Sequence, residues 1–131
     1  MSSRSSNSTT NQRERNRGSG PDRLLARAVA LQQSGDLQPA ISHYRRYLRQ
    51  VPDNPVVMHT LGGLYYQCQD YRAAGEFLRK AQQAAPDNLE YLNDLGAFYL
   101  MMGEYANALM CMEHLLKKAP DNAQVHYNLG M

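Results

Sequence analysis

The triplet Pro52-Asp53-Asn54 returns as Pro86-Asp87-Asn88 and again as Pro120-Asp121-Asn122, each copy 34 residues after the last. A fixed period of this length means that one supersecondary unit is stacked on copies of itself, because so short a unit cannot bury its own apolar face. Other residues keep the same register. Leu61-Gly62 and Tyr65 return as Leu95-Gly96 and Tyr99, Leu129-Gly130 opens the series once more, and Ala40, Ala74 and Ala108 are also 34 apart.

Each unit reads as two helices. The first carries Met58, Leu61, Gly62 and Tyr65 in one unit and Leu92, Leu95, Gly96 and Tyr99 in the next. These fall at i, i+3, i+4 and i+7, one face of a helix with 3.6 residues per turn. A short break follows, Gln67-Cys68-Gln69-Asp70 or Met102-Gly103-Glu104. The second helix has its own stripe, Ala74, Phe77, Leu78 and Ala81 and then Ala108, Met112 and Leu115. Asp36 and Asp70 stand where an N-cap acceptor belongs, and Pro39 fits a first turn, where a missing N–H costs little. The recurring Pro stops the second helix, and the Asp or Asn after it caps the next one.

Two helices joined by a few residues run antiparallel and close together. Ala28, Gly62, Gly96 and Gly130 on the first helices, and Ala40, Ala74 and Ala108 on the second, let the backbones approach. A helical glycine costs about 1 kcal/mol against alanine, so its return at one register implies a compensating contact. The expected fold is all-α, a right-handed superhelical solenoid of antiparallel helix pairs. Residues 1–20 form a polar and basic disordered tail, and 21–131 the repeat domain, with units 21–54, 55–88 and 89–122 and a partial unit 123–131.

The tail follows from composition. Ser2 to Gly20 holds no aliphatic or aromatic residue, so it makes neither the apolar face of a transit helix nor the apolar run of a secretory signal. It carries four Arg against one Glu, a net +3, and with +2 overall the remainder sums to −1. A nearly neutral folded part gives no reason to expect nucleic acid or an anionic membrane as partner. Binding of single-stranded nucleic acid through the Arg tail would require strongly salt-dependent affinity. No stretch approaches the ~18 apolar residues that cross a bilayer. Cys68 and Cys111 are isolated thiols, which fits a reducing compartment, the cytoplasm.

The series Leu61-Gly62, Tyr65, Ala74, Ala81, Pro86, and its copy Leu95-Gly96, Tyr99, Ala108, Pro120, resembles the tetratricopeptide repeat family. The unit at 21–54 keeps Ala28, Ala40, Tyr44 and Pro52 but has Arg27 where the others have Leu, and the motif's Trp is replaced by Leu24, Met58, Leu92 and His126. The resemblance covers residues 21–131. It implies a protein–protein interaction scaffold whose first helices line a concave groove for a peptide or partner domain. Carried over by register, the groove-facing residues are Leu25, Val29, Gln32, Val56, His59, Gly63, Tyr66, Gln67, Glu90, Asn93, Ala97, Leu100 and Met101. Chaperone-binding members of the family clamp a terminal carboxylate with Lys, Arg and Asn. Here the corresponding positions offer Leu25, Val29, His59 and Glu90, with no cation. Tyr66, Leu100 and Met101 instead suit an apolar side chain, or else they fill contacts between units.

Catalytic chemistry finds no constellation. His43, His59, His114 and His126 with Cys68 and Cys111 match no common zinc spacing, and no cofactor is implied. Cys68 closes a first helix and Cys111 falls early in a second, so no nucleophile is paired with a base. The glycines lie in helices or turns rather than in a phosphate loop. Arg45, Arg46 and Arg49, like Arg79-Lys80 and Lys117-Lys118, fall toward the ends of second helices, where they complement the helix dipole on the outer surface.

The last residues, His126 to Met131, open a fourth unit and leave Leu129 and Met131 without a polar cap. An exposed large aliphatic side chain forgoes roughly 1.5–3 kcal/mol of burial, so this end is expected to continue in a longer protein or to pair with another subunit. A longer protein opens an alternative function. Repeats of this look precede glycosyltransferase, methyltransferase and sulfotransferase domains, and Asn128-Leu129-Gly130 resembles the repeats of the O-linked N-acetylglucosamine transferases. In that reading the chain is a recruiting arm.

Overall fold

The computed structural model of the chain describes residues 20–118. The expected tail up to residue 19, and the third Pro-Asp-Asn triplet with the partial fourth unit, lie outside the described residues. Helices run as α1 (Pro21–Gln33), α2 (Leu37–Gln50), α3 (Pro55–Gln67), α4 (Tyr71–Ala84), α5 (Leu89–Met101) and α6 (Tyr105–Lys118). No strand occurs among the described residues, and the fold is the all-α helical repeat that the 34-residue rhythm predicts. The chain divides after Asp53 into two compact units, α1 with α2 in the first and α3 to α6 in the second.

The helix starts follow the local chemistry. Asn54 accepts from the Val57 backbone N–H at 3.3 Å, Asp70 from Ala73 at 3.2 Å and Asn88 from Tyr91 at 3.0 Å. Each side chain satisfies one of the donors that a helix leaves unpaired at its first turn. Asp36 also occupies the N-cap position, but its side chain makes no capping hydrogen bond.

The turns inside the hairpins repeat more closely than their sequences do. The Gly35 and Asp36 N–H groups donate back to Gln32 and Leu31, Gln69 and Asp70 donate to Tyr66 and Tyr65, and Gly103 and Glu104 donate to Leu100 and Tyr99. This pair of bonds ends a helix when the residue after the C-cap is left-handed. Gly35, Gln69 and Gly103 have φ of 81°, 64° and 75°, so Gln69 holds a conformation that a side chain disfavours.

In the first unit, Leu24 and Ala28 of α1 are buried with Ala40, Ile41, Tyr44 and Tyr47 of α2. The Tyr44 hydroxyl donates to the Gln32 amide oxygen at 2.6 Å, and burial pushes this phenol above its ordinary pKa. In the second unit the helix pairs are antiparallel: Gly62 faces Leu78 and Ala74, and Tyr65, one turn on, stacks on Phe77 at 5.6 Å. Gly96 repeats the arrangement against Met112 and Cys111. Among the described residues, Leu61 and Leu115 are the largest side chains fully enclosed. Each gains about 1.5–3 kcal/mol from leaving water.

First and second helices bury differently. Val57, Met58, Leu61, Leu64 and Tyr65 wrap much of α3, and Tyr91, Leu92, Leu95, Phe98 and Tyr99 do the same on α5. On α4 the buried set narrows to Ala74, Gly75, Leu78 and Ala81. Cys111, the seventh of the fourteen residues of α6, sits midway along that helix rather than early in it.

Candidate functional site

The second unit brings α3 and α5 together through side chains. The His59 Nε2–H donates to the Asp94 carboxylate at 2.8 Å, and the Tyr66 hydroxyl donates to the Met101 sulfur at 3.1 Å. Both partners lie 35 residues apart although the two contacts are seven positions apart along the helix. Such a constant offset requires the two helices to run parallel, side by side. His59 also stacks on Tyr91, with ring centroids 4.6 Å apart, and Tyr66 meets Phe98 edge-on at 6.4 Å and Tyr71 at 5.3 Å. Aromatic pairs in these geometries hold position better than area burial alone would.

Two exposed residues between these bridges are small. Gly63 and Ala97 are exposed, and a methyl group built on Gly63 would meet nothing within 4 Å. They form a shallow floor. At one end stand half-buried His59, Asn93 and Asp94 with exposed Val56 and Glu90, and at the other half-buried Tyr66 with exposed Gln67, Leu100 and Met101. Met101 is 65% exposed and Leu100 40%, so water covers apolar surface that the fold itself does not use.

Of the residues expected to face a groove, Leu25, Val29 and Gln32 belong to the first unit. Leu25 is half-buried and Val29 exposed, while the Gln32 amide is engaged by Tyr44 inside the α1–α2 pair. The other ten belong to α3 and α5 and lie along the face just described. Sequence reasoning left out Asp94 and Tyr91. The 34-residue register aligns His59 with Asn93, but contact between parallel neighbours runs to the residues flanking that position. The available signal was charge, since Asp94 and Glu90 are the only acidic side chains in α3 and α5.

The electrostatics of the unit are segregated. α3 and α5 contain no Lys or Arg, whereas α4 and α6 carry Arg72, Arg79, Lys80, Lys117 and Lys118, all exposed. Lys80 lies 4.8 Å over the Phe77 ring, and Lys118 donates to Asp87 at 2.5 Å. That hydrogen bond and the ammonium charge hold the Asp87 carboxyl below its usual range. Tyr91 is pushed above its ordinary pKa by burial and by the negative charge of Glu90.

Among the described residues, no group of three or more His, Cys, Asp or Glu is placed to hold a metal. Cys68 is half-buried and Cys111 buried, both are free thiols, and burial pushes the Cys111 thiol above its ordinary pKa. His43 Nδ1 lies 2.8 Å from the Pro39 carbonyl oxygen within its own helix. Among the described residues, no helix is long and apolar enough to cross a membrane.

The sequence profile described as "Tetratricopeptide repeat" matches residues 31–97 and 69–129, together more than half of the chain. No curated protein matches in sequence. Among solved structures, MamA of AMB-1 is similar at 28% identity and a TM-score of 0.71, over 81% of this chain and 58% of that one. The chain therefore spans little more than half the length of MamA. An O-GlcNAc transferase mutant from Thermobaculum terrenum aligns at 30% identity and a TM-score of 0.63, over 83% of this chain but 21% of that one. The first TPR of Spaghetti (RPAP3), bound to an HSP90 peptide, aligns at 18% identity and a TM-score of 0.69, over 86% of this chain and 89% of that one. At that identity the likeness is one of fold.

Proposed function

This chain belongs to the tetratricopeptide repeat family, and on that premise we propose that it is a protein-interaction scaffold whose α3–α5 face binds a peptide or partner segment. The observation that supports this most is the exposed pair Leu100 and Met101 beside Tyr66, on a face floored by Gly63 and Ala97. Exposed apolar side chains on a rigid helical pair offer a shelf for a partner's apolar group, and Met adapts to its shape. Small residues on the floor let a backbone come close.

The face offers no Lys or Arg to hold a terminal carboxylate, so peptide capture here does not rest on a carboxylate clamp. Selection of peptides on the immobilised chain, followed by titration of the winners, tests the reading. Tyr66→Ala and Leu100→Ala are expected to weaken binding with thermal unfolding unchanged, while Arg79→Ala on the outer surface leaves it intact. Peptides that bind the two face variants as tightly as the parent would place recognition elsewhere. The free thiols favour a reducing, cytoplasmic location.

A second reading is favoured by the 30% identity to part of the Thermobaculum terrenum O-GlcNAc transferase, 21% of that chain. In it these helices recruit substrates for a catalytic domain of glycosyltransferase, methyltransferase or sulfotransferase type. Transcript sequence downstream of codon 131 decides: an α/β pattern supports the arm, whereas further 34-residue units and a stop favour the scaffold.

A further inference from the structure

We propose that the segment bound on the α3–α5 face pairs a basic side chain with an apolar one about 10 Å away, an inference that rests on the binding face proposed above. The apolar end is the shelf of Tyr66, Leu100 and Met101, left open to solvent. The other end is anionic. Glu90 is exposed, and the Asp94 side chain is 41% exposed while His59 donates to one of its oxygens. Glu90 lies in the first turn of α5, where a negative charge also suits the helix dipole, but Asp94 lies beyond that turn, where the dipole has faded.

Charge segregation strengthens the assignment. Neither α3 nor α5 contains a Lys or Arg, while the cations of the second unit's helices all project from α4 and α6. An acidic segment approaching the α3–α5 face therefore meets the Glu90 and Asp94 carboxylates with no Lys or Arg to offset them, and a basic one meets complementary charge. The geometry sets the spacing. His59 to Tyr66 on α3, and Asp94 to Met101 on α5, are each seven residues, about 10 Å at 1.5 Å per residue. An extended peptide rises about 3.3 Å per residue, so its basic and apolar side chains stand about three positions apart.

A displayed library of random twelve-residue peptides selected on the full chain tests this. The expected winners carry Lys or Arg about three positions from Leu, Met or an aromatic residue. Exchanging the basic residue for Ser is expected to weaken them about five- to tenfold, in line with two partly exposed ion pairs. In the Glu90→Gln, Asp94→Asn double variant, whose amide at 94 still accepts from His59, that difference should fall below about twofold. Winners that need Tyr66 and Leu100 but show no basic preference overturn this inference and leave the binding face standing. Winners indifferent to Tyr66→Ala and Leu100→Ala, or no enrichment at all, overturn both.

Discussion

At the α3–α4 crossing Gly62 faces Leu78, and at the α5–α6 crossing, one repeat on, Gly96 faces Met112. A methyl group on Gly62 would come within 2.8 Å of Leu78 Cγ and Cδ2 and 3.3 Å of the Ala74 carbonyl oxygen. On Gly96 it would come within 2.5 Å of the Met112 terminal methyl and 3.2 Å of Cys111 Cβ. The first obstacle is a branch point backed by main chain, and the second is chiefly the tip of a flexible side chain. The second helices differ at this register as well. Gly75 of α4 is buried against Phe98, where a methyl group would come within 2.8 Å of the ring, whereas Leu109, at the same register of α6, is 50% exposed along with Met110 and Tyr105. One rhythm thus fixes how helices pair, while the residue at each register decides how tightly they pair and what remains open.

The largest effect expected is at the enclosed leucines. Leu61→Ala and Leu95→Ala should each cost about 2–5 kcal/mol in denaturant unfolding. A cost at Leu95 close to zero would break the equivalence of the two hairpins. Next come the crossings. Gly62→Leu and Gly96→Leu are each expected to destabilise by roughly 1–3 kcal/mol through overpacking. Alanine should separate them: a gain in helix propensity of about 1 kcal/mol offsets the clash at Gly96 but not at Gly62. Equal melting temperatures for the two alanine variants would erase the distinction drawn here.

The turns sharpen the comparison at smaller scale. Gln69→Gly should stabilise by about 0.5–1 kcal/mol, and Gly103→Gln should destabilise by a similar amount. Thiol labelling of the native chain should modify Cys68 well before Cys111, whose burial hides it and holds it protonated. The smallest effect concerns Asp87. Its carboxyl titrates below the usual range because of Lys118, so the pair's contribution is present above that range and is lost as pH falls through the depressed value. Asp87→Asn should slightly flatten the acid side of a stability–pH profile, and an unchanged profile would show that the pair contributes nothing.

Much of the fold was legible because periodicity reports burial directly. Gly62, Gly96, Ala40, Ala74 and Ala108 recur where backbones must approach, and all of them are buried. The caps at Asn54, Asp70 and Asn88 were equally readable, since their chemistry is local. Asp36 shows the limit, because the same residue type at the same register leaves its side chain out of the cap. At the candidate site the register located the α3 and α5 positions but not the His59–Asp94 bridge, which depends on how neighbouring helices slide past each other. Nor could it foresee that Gln32 would be held by Tyr44, since that bond spans two helices with unrelated patterns.

The most direct test of the α3–α5 face is an amide chemical-shift map of the labelled chain titrated with a peptide selected on it. We expect the largest perturbations at Gly63, Ala97 and Leu100, with the α4 residues Arg79 and Lys80 unmoved. Perturbations centred on Arg79 and Lys80, with Gly63 and Ala97 silent, would contradict it.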